Sequence, residues 1–292
     1  MSVSYAPASP LVVSYGAGVD STALLVEFVR RQMRPDYILF ADTGGEKPET
    51  LAFLPLMATY LQAAGFPPIT TVRYVPRDFK QWPPYHTLEE NCLTTGTLPS
   101  LAFGFKSCSQ KWKIAPQQRF LRQQEPIRAQ WRRGGRVTQC IGFDAGPADL
   151  RRRAHGGDPG NRYYDYWYPL IDWGWDRARC MAEIARAGLP VPSKSSCWFC
   201  PGMKPTEVRQ LPPELLRRLV LLEARAAPRL RTIAGLWRNG TKGTRSGEPR
   251  PGAITAFIRQ EQLLPAAEID ELASLGPARI LARQQRFQDG ET

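Results

Sequence analysis

Ser14-Tyr15-Gly16-Ala17-Gly18-Val19-Asp20-Ser21-Thr22 is the stretch that decides the fold. Before it, Leu11–Tyr15 is a short β-branched and aromatic run, a strand signal that stops at a glycine turn. After it, residues 21–29 carry apolar side chains at helical spacing. A strand, a glycine-rich loop and a helix in that order leave free amides and a partial positive charge at the helix start. Glycines let the backbone approach an anion there, and Ser and Thr add hydroxyl donors. The loop is therefore read as a phosphate cradle. It lacks the lysine of GxxxxGK[ST], and Ser21 stands where GxGxxG would need its third glycine.

The alternation continues downstream. Residues 37–41 repeat the strand signal and stop at Asp42-Thr43-Gly44-Gly45, and residues 48–61 read as a helix with proline in its first turn. Residues 70–75 give a third strand, 112–124 a helix, 136–143 a fourth strand and 176–188 another helix. Strands alternating with helices imply a parallel sheet with right-handed crossovers. Beyond Pro212 the pattern is helical (213–227, 253–263, 267–275), broken by a basic stretch at 239–252. The expected fold is α/β, a doubly wound, mostly parallel sheet with a C-terminal helical appendage. The expected division is a nucleotide-binding domain over 1–210, which includes the cysteine region, and a helical region over 211–292.

Composition narrows the class. A chain of 292 residues with 42% hydrophobic and 23% charged residues is ordinary for a globular protein, which excludes disordered and fibrous classes. No run approaches the roughly 18 apolar residues of a membrane helix, so a cytoplasmic protein without membrane contact is expected. The net charge of +12 favours polyanionic partners. Between Phe105 and Arg153, twelve Lys or Arg face three acids. Two readings stay open for that segment, a nucleic-acid surface or solvated charge of an arginine-rich chain.

The loop resembles the SGGxDS signature of PP-loop ATP pyrophosphatases, with Gly16 and Gly18 around Ala17 and the Asp20-Ser21 pair intact. Ala17 stands where that family often has glycine. Asp42-Thr43-Gly44 and Pro48-Glu49-Thr50 resemble the DTG and PET pieces of sulfonucleotide reductases. Ile141-Gly142-Phe143-Asp144, followed by Arg151, resembles the turn after the fourth strand, although Phe143 replaces the usual basic residue. Ser107 to Lys113 resembles the CxxxxK segment of the phosphoadenosine phosphosulfate reductase group. The resemblance implies an adenine nucleotide alpha hydrolase-like fold that binds ATP with Mg, or a sulfonucleotide. The nucleotide would be held by Ser14, Tyr15, Gly16, Ala17, Gly18, Asp20, Ser21, Thr22, Asp42, Thr43, Gly44, Gly142 and Arg151. Asp20, Ser21 and Lys113 take the catalytic positions.

Six cysteines in a chain read as cytoplasmic point to metal or redox chemistry rather than structural disulfides. Cys197 and Cys200 form a CxxC that can grip one metal. With Cys108 and Cys180 they make a four-thiolate set suited to 4Fe–4S or to zinc, a redox dithiol being the third option. The resemblance puts the iron-sulfur cluster first, since sulfonucleotide reductases and several PP-loop thiolation enzymes carry one near the nucleotide. Cys140 reads as a core residue, and the role of Cys92 stays open. His86 and His155, the only histidines, read as surface residues and give a triad little material. The aromatic run Tyr163 to Trp175 reads as packing, with a base-stacking platform as the alternative.

Two departures argue against plain sulfonucleotide reduction. No cysteine follows Cys200 to act as the attacking thiol, and Cys108 has no adjacent cysteine. The expected activity is adenylation of a substrate followed by sulfur transfer, with DNA or tRNA as candidate acceptor and a sulfur- or electron-donor protein as candidate partner. The alternatives are a phosphoadenosine or adenosine phosphosulfate reductase whose thiol comes from a partner, and a non-catalytic nucleotide- or DNA-binding module.

Overall fold

The structure, a computed structural model, describes residues 9–76, 84–99, 107–155, 161–242 and 248–288, with backbone alone at 107, 155 and 284–288. Its sheet holds five parallel strands, β1 (Leu11–Tyr15), β2 (Tyr37–Asp42), β3 (Ile69–Arg73), β4 (Val137–Ile141) and β5 (Tyr164–Trp167), in the order β3-β2-β1-β4-β5. The first helices are α1 (Val19–Arg30), α2 (Pro48–Ala63), α3 (Leu88–Thr95) and α4 (Ser107–Ser109), which runs through a π turn at Gln110–Ile114 into α5 (Ala115–Leu121). There follow α6 (Glu125–Arg132), α7 (Pro147–His155), α8 (Pro169–Asp172) and α9 (Arg177–Arg186). The last are α10 (Pro205–Arg209), α11 (Pro213–Ala226), α12 (Ile254–Gln260), α13 (Ala266–Ala273) and α14 (Pro277–Gln288).

The chain divides into two compact units, and the division is not the expected one at residue 210. The first unit comprises 1–42, 46–73 and 113–195, the second 43–45, 74–112 and 196–292. The C-terminal helices are thus no separate appendage, because α3 and α4 from mid-sequence belong with them.

In the first unit, successive strand residues point to opposite faces. Leu11, Val13 and Tyr15 pack with Leu24, Leu25 and Phe28 of α1 and with Cys180 and Ile184 of α9. Val12, Leu39 and Val137 pack with Leu121 of α5 and Ile127 of α6. A parallel sheet buried on both faces needs unbroken apolar strands, which is what residues 11–13 and 38–41 supply. β5 lies outside the four strands expected. Its Tyr-Asp-Tyr-Trp sequence alternates on a sheet edge, where Asp165 is exposed and pairs with Arg136 at 2.9 Å.

In the second unit, α11 supplies the central apolar stripe, with Leu215, Leu216, Leu219, Val220 and Leu222 buried. α3 packs there too, started by a capping box in which Thr87 accepts from the Glu90 amide at 3.1 Å and Glu90 accepts from the Thr87 amide at 3.2 Å. Among the described residues no helix is long and apolar enough to cross a membrane.

Glu223, 5% exposed, pins two loops to α11. Its Oε1 accepts the amides of Leu236 and Ile254 at 2.7 and 2.9 Å, and its Oε2 accepts that of Thr255 at 2.7 Å. Burial pushes its carboxyl above the ordinary range, against the pull of those amides. The folded state therefore keeps this proton to higher pH than the unfolded one. The group's contribution is largest below the usual glutamate range and declines as pH rises through the raised value. Glu223→Ala orphans three amides and should lower stability by about 3 kcal/mol in urea unfolding. An unchanged midpoint would show that the amides find other acceptors.

Candidate functional site

The turn between β1 and α1 is closed by its own residues. Ser21 Oγ accepts the Gly16 amide at 3.2 Å and donates to the Gly18 carbonyl at 3.3 Å. Gly18 is the extended N-cap of α1 with no side-chain bond to the first turn, so the amides there are left for another acceptor. Tyr15, buried, meets Thr22 through their hydroxyls at 3.3 Å, which braces the strand against the helix. Ala17 is in the left-handed region, φ +52°, and fully buried. That conformation strains any residue with a Cβ.

The loop after β4 presses on the same turn. A Cβ on Gly142 would lie 2.7 Å from Ser21 Cα and 2.8 Å from Ser21 N, so only glycine fits. β1 pairs with β4 through Val13 and Cys140, and with β2 on its other side through Val13 and Ile38. The sheet order therefore reverses between β1 and β4, the topological switch point at which open parallel sheets bind ligands. Ser195 also reaches the turn. A Cβ on Gly18 would lie 2.5 Å from its Oγ, a close approach that sequence patterns did not flag.

Beside α1, carboxylate oxygens of Asp20, Asp144 and Asp149 all lie within 4.8 Å of one another. Arg177 donates to both oxygens of Asp20 at 2.7 and 2.8 Å, and Arg152 pairs with Asp149 at 2.7 Å. Burial raises the Asp20 pKa, Arg177 lowers it, and Asp144 and Asp149 raise it again. Three clustered acids with two arginines form the polar rim of the turn and could hold a divalent cation.

The cysteines are distributed differently from expectation. All six are thiols. Cys92 of α3 is buried in the core of the second unit, and Cys108, Cys197 and Cys200 pack against that same core. Cys180 is fully buried in the first unit's core on α9, and burial, with Asp20 and Asp144 nearby, pushes its thiol up to about 12. Of the expected set Cys108, Cys180, Cys197 and Cys200, three belong with Cys92 to the second unit and Cys180 belongs to the first. Cys140 is a core residue of β4, fully buried, as its strand position implied.

The CxxC is fixed by the turn after β2. Thr43 Oγ1 lies 3.5 Å from Cys197 Sγ and accepts the Gly45 amide at 3.2 Å, while the Gly45 carbonyl accepts the Trp198 amide at 2.9 Å. Gly44 has φ +71°, and a Cβ on Gly45 would lie 2.7 Å from the Phe199 ring. Thr43 and Gly44, assigned to the nucleotide by resemblance, thus belong to the second unit and buttress the cysteine loop. Lys111 stands close by on the π turn. Its Nζ donates to Asn91 Oδ1 at 3.1 Å and Tyr85 Oη at 3.3 Å, and lies 4.8, 4.7 and 5.2 Å from the ring centroids of Tyr74, Tyr85 and Trp112.

The other expected residues are placed as follows. Ser14 Oγ donates to Gln117 at 2.8 Å and accepts from Gln139 at 2.8 Å, a network on the α5 face of the sheet rather than in the turn. Asp42 pairs with Arg73 at 2.7 Å. Lys113 faces Glu46 at 4.0 Å. Arg151 is exposed on α7, next to Asp149's turn. His86 is exposed, and the side chain of His155 lies outside the described residues, as does Lys106 of the basic segment. Ala17→Gly should raise stability by about 1 kcal/mol by relieving the left-handed alanine, measured by thermal or urea unfolding. Gly142→Ala should lower it and weaken whatever binds the turn, and a wild-type unfolding curve for that variant would contradict the packing. No family model and no curated protein matches the chain.

Proposed function

We propose that the chain is an ATP-dependent enzyme of the PP-loop pyrophosphatase type, similar to the phosphoadenosine phosphosulfate reductase group, that adenylates a substrate and transfers sulfur to it. The observation that carries this reading is the meeting of two loops at the β1/β4 switch point, with Gly142 against Ser21 at the N-terminus of α1. A pyrophosphate group suits that place, because backbone amides and the helix dipole favour negative charge without a lysine. Asp20, Asp144 and Asp149 would hold the Mg that accompanies ATP. Arg177 fixes the Asp20 carboxylate by donating to both of its oxygens.

Cys92, Cys108, Cys197 and Cys200 would hold a 4Fe–4S cluster. Four thiolates on one tetrahedral zinc at about 2.3 Å stand about 3.8 Å apart. Among the described residues no three cysteine sulfurs lie within 4.8 Å of one another. The resemblance to the sulfonucleotide reductase group, not the spacing of the sulfurs, puts the cluster before zinc. Such a centre supplies electrons or delivers sulfur. The protein's own part is to keep the site partly dry with Trp112, Trp198 and Phe199 and to fix Cys197 through Thr43.

Two measurements test this. ATP turnover to AMP and pyrophosphate should disappear in Asp20→Ala/Ser21→Ala, and unchanged turnover would remove the loop from the mechanism. After anaerobic purification, iron and sulfide should fall in Cys92→Ala while Cys180→Ala keeps both, with loss of stability in the former because part of the binding free energy is folding free energy. Equal metal in wild type and Cys92→Ala would refute the four-cysteine assignment.

A further inference from the structure

We infer that the surface stretch from Arg225 to Lys242 in the second unit binds the phosphodiester backbone of nucleic acid. This deepens the proposed reading by naming the class of the acceptor, and rests on that reading only for the chemistry done to it. The argument starts from where positive charge is left over. In the basic segment 105–153, Lys113 faces Glu46, Arg128 and Arg132 share Glu125, Arg136 pairs with Asp165, Arg152 with Asp149 and Arg153 with Asp172. Among the described residues at least six of that segment's cations are thereby held by carboxylates, three of which come from outside it.

Residues 224–247 are different. They hold Arg225, Arg229, Arg231, Arg238, Lys242 and Arg245 and no Asp or Glu. Arg229, Arg231, Arg238 and Lys242 are exposed, and none makes an ion pair among the described residues. Arg225 donates to the Thr94 carbonyl at 3.2 Å, but its Nε is buried without a hydrogen-bond partner, as is Arg250 Nη1. Burial and the neighbouring Arg229 both disfavour charge on Arg225. Like charges crowded in this way, with donors unused, are relieved by an anion.

The stretch is held on a firm base. Ala234 N donates to the Arg238 carbonyl at 2.6 Å, and Thr241 and Arg250 exchange backbone bonds at 2.8 and 3.1 Å, which folds the chain back on itself. Glu223 fixes the amides of Leu236, Ile254 and Thr255. Trp237, 3% exposed, donates to the Met203 carbonyl at 2.9 Å and carries the Arg250 guanidinium over its ring at 4.7 Å. Asn239 and Thr241 add exposed hydrogen-bond groups between the cations. Exposed charges and small polar side chains on a pinned backbone match a phosphate chain, whose contacts position rather than read sequence. A lipid surface fits less well, because it wants exposed aromatic or aliphatic residues to insert, and Leu236 and Trp237 are both buried.

The test measures fluorescence anisotropy of short duplex DNA, its single strand and a tRNA across a salt series. It compares wild type, Arg229→Ala/Arg231→Ala/Arg238→Ala/Lys242→Ala, and the control Arg128→Ala/Arg132→Ala. The fourfold variant should bind at least about tenfold more weakly near physiological salt, and its log–log salt slope on duplex should shrink by about 0.9 for each phosphate no longer neutralised. The control should match wild type. Should the fourfold variant unfold, Arg231→Glu and Lys242→Glu, each at an exposed position, are expected to weaken binding singly. No nucleic-acid binding by wild type, equal binding by the fourfold variant and the control, or attachment only to phosphatidylserine vesicles would each overturn the inference. ATP binding by the same proteins, followed by calorimetry, reports on the 14–22 loop independently. Loss of one reading therefore leaves the other measurable.

Discussion

Gly142 rests on the backbone of Ser21 with no room for a side chain, and that contact governs the first unit. It is possible only because β4 lies beside β1 in parallel register, so that both strands end at the same level. Once they do, the turn after β4 meets the start of α1. Ser21 cannot be moved without opening its own bonds to Gly16 and Gly18. Ala17 stores strain in this arrangement, of order 1–2 kcal/mol for a left-handed residue with a Cβ. Strain of this kind persists only where the surrounding packing over-determines it.

Much of the first unit was legible in the sequence because its signals are local. β1 begins and ends at the residues the apolar run marks, and β2, β4 and α11 differ from their expected bounds by no more than two residues. The missed elements have weaker local signals. β5 is a short edge strand whose alternate residues face solvent, and α7 carries three successive arginines with little apolar stripe. α3 was missed although Thr87 and Glu90 form a capping box, a signal that a search for S/T-x-x-E would find. The division into units was not legible at all. It depends on residues 74–112 leaving the sheet domain to pack with helices more than a hundred residues further on, and no local pattern encodes that.

The cysteines show the same limit from the side of the site. Cys180 precedes the CxxC by seventeen residues in sequence, which suggested a shared centre. Yet Cys180 stands one turn before Ile184 on the buried face of α9, the pattern of a helix packing its core stripe. Cys92 follows Leu88 at the same spacing on α3 and looks no different by periodicity. Only the tertiary assignment of α3 separates the two. The two cysteines are therefore indistinguishable until one knows which core each helix serves. By contrast, the positions of Asp20 and Gly142 beside one turn could be read from the sequence, because each belongs to a loop whose ends are fixed by adjacent strands.

Charge distribution carries the argument one step further. Buried carboxylates in this chain are compensated. Glu27 is held by Arg30 and Arg31, Glu89 by Arg218, Glu183 by Arg179 and Arg186, and Glu223 by three amides. Lys111 breaks that habit, for its partners are three aromatic rings, a phenol and an amide, all neutral, and it makes no ion pair among the described residues. Burial strongly raises the Cys92 thiol, and Glu89 and the neighbouring cysteines raise it too, while Lys111 alone pulls it down. A cation sheltered among rings has lost part of its hydration without gaining a carboxylate, a cost that a purely structural lysine would avoid by turning to solvent. The cation is also the one group that pulls the buried Cys92 thiol toward its charged form, and an opposite charge in a partly dry pocket counts for far more than it would in water.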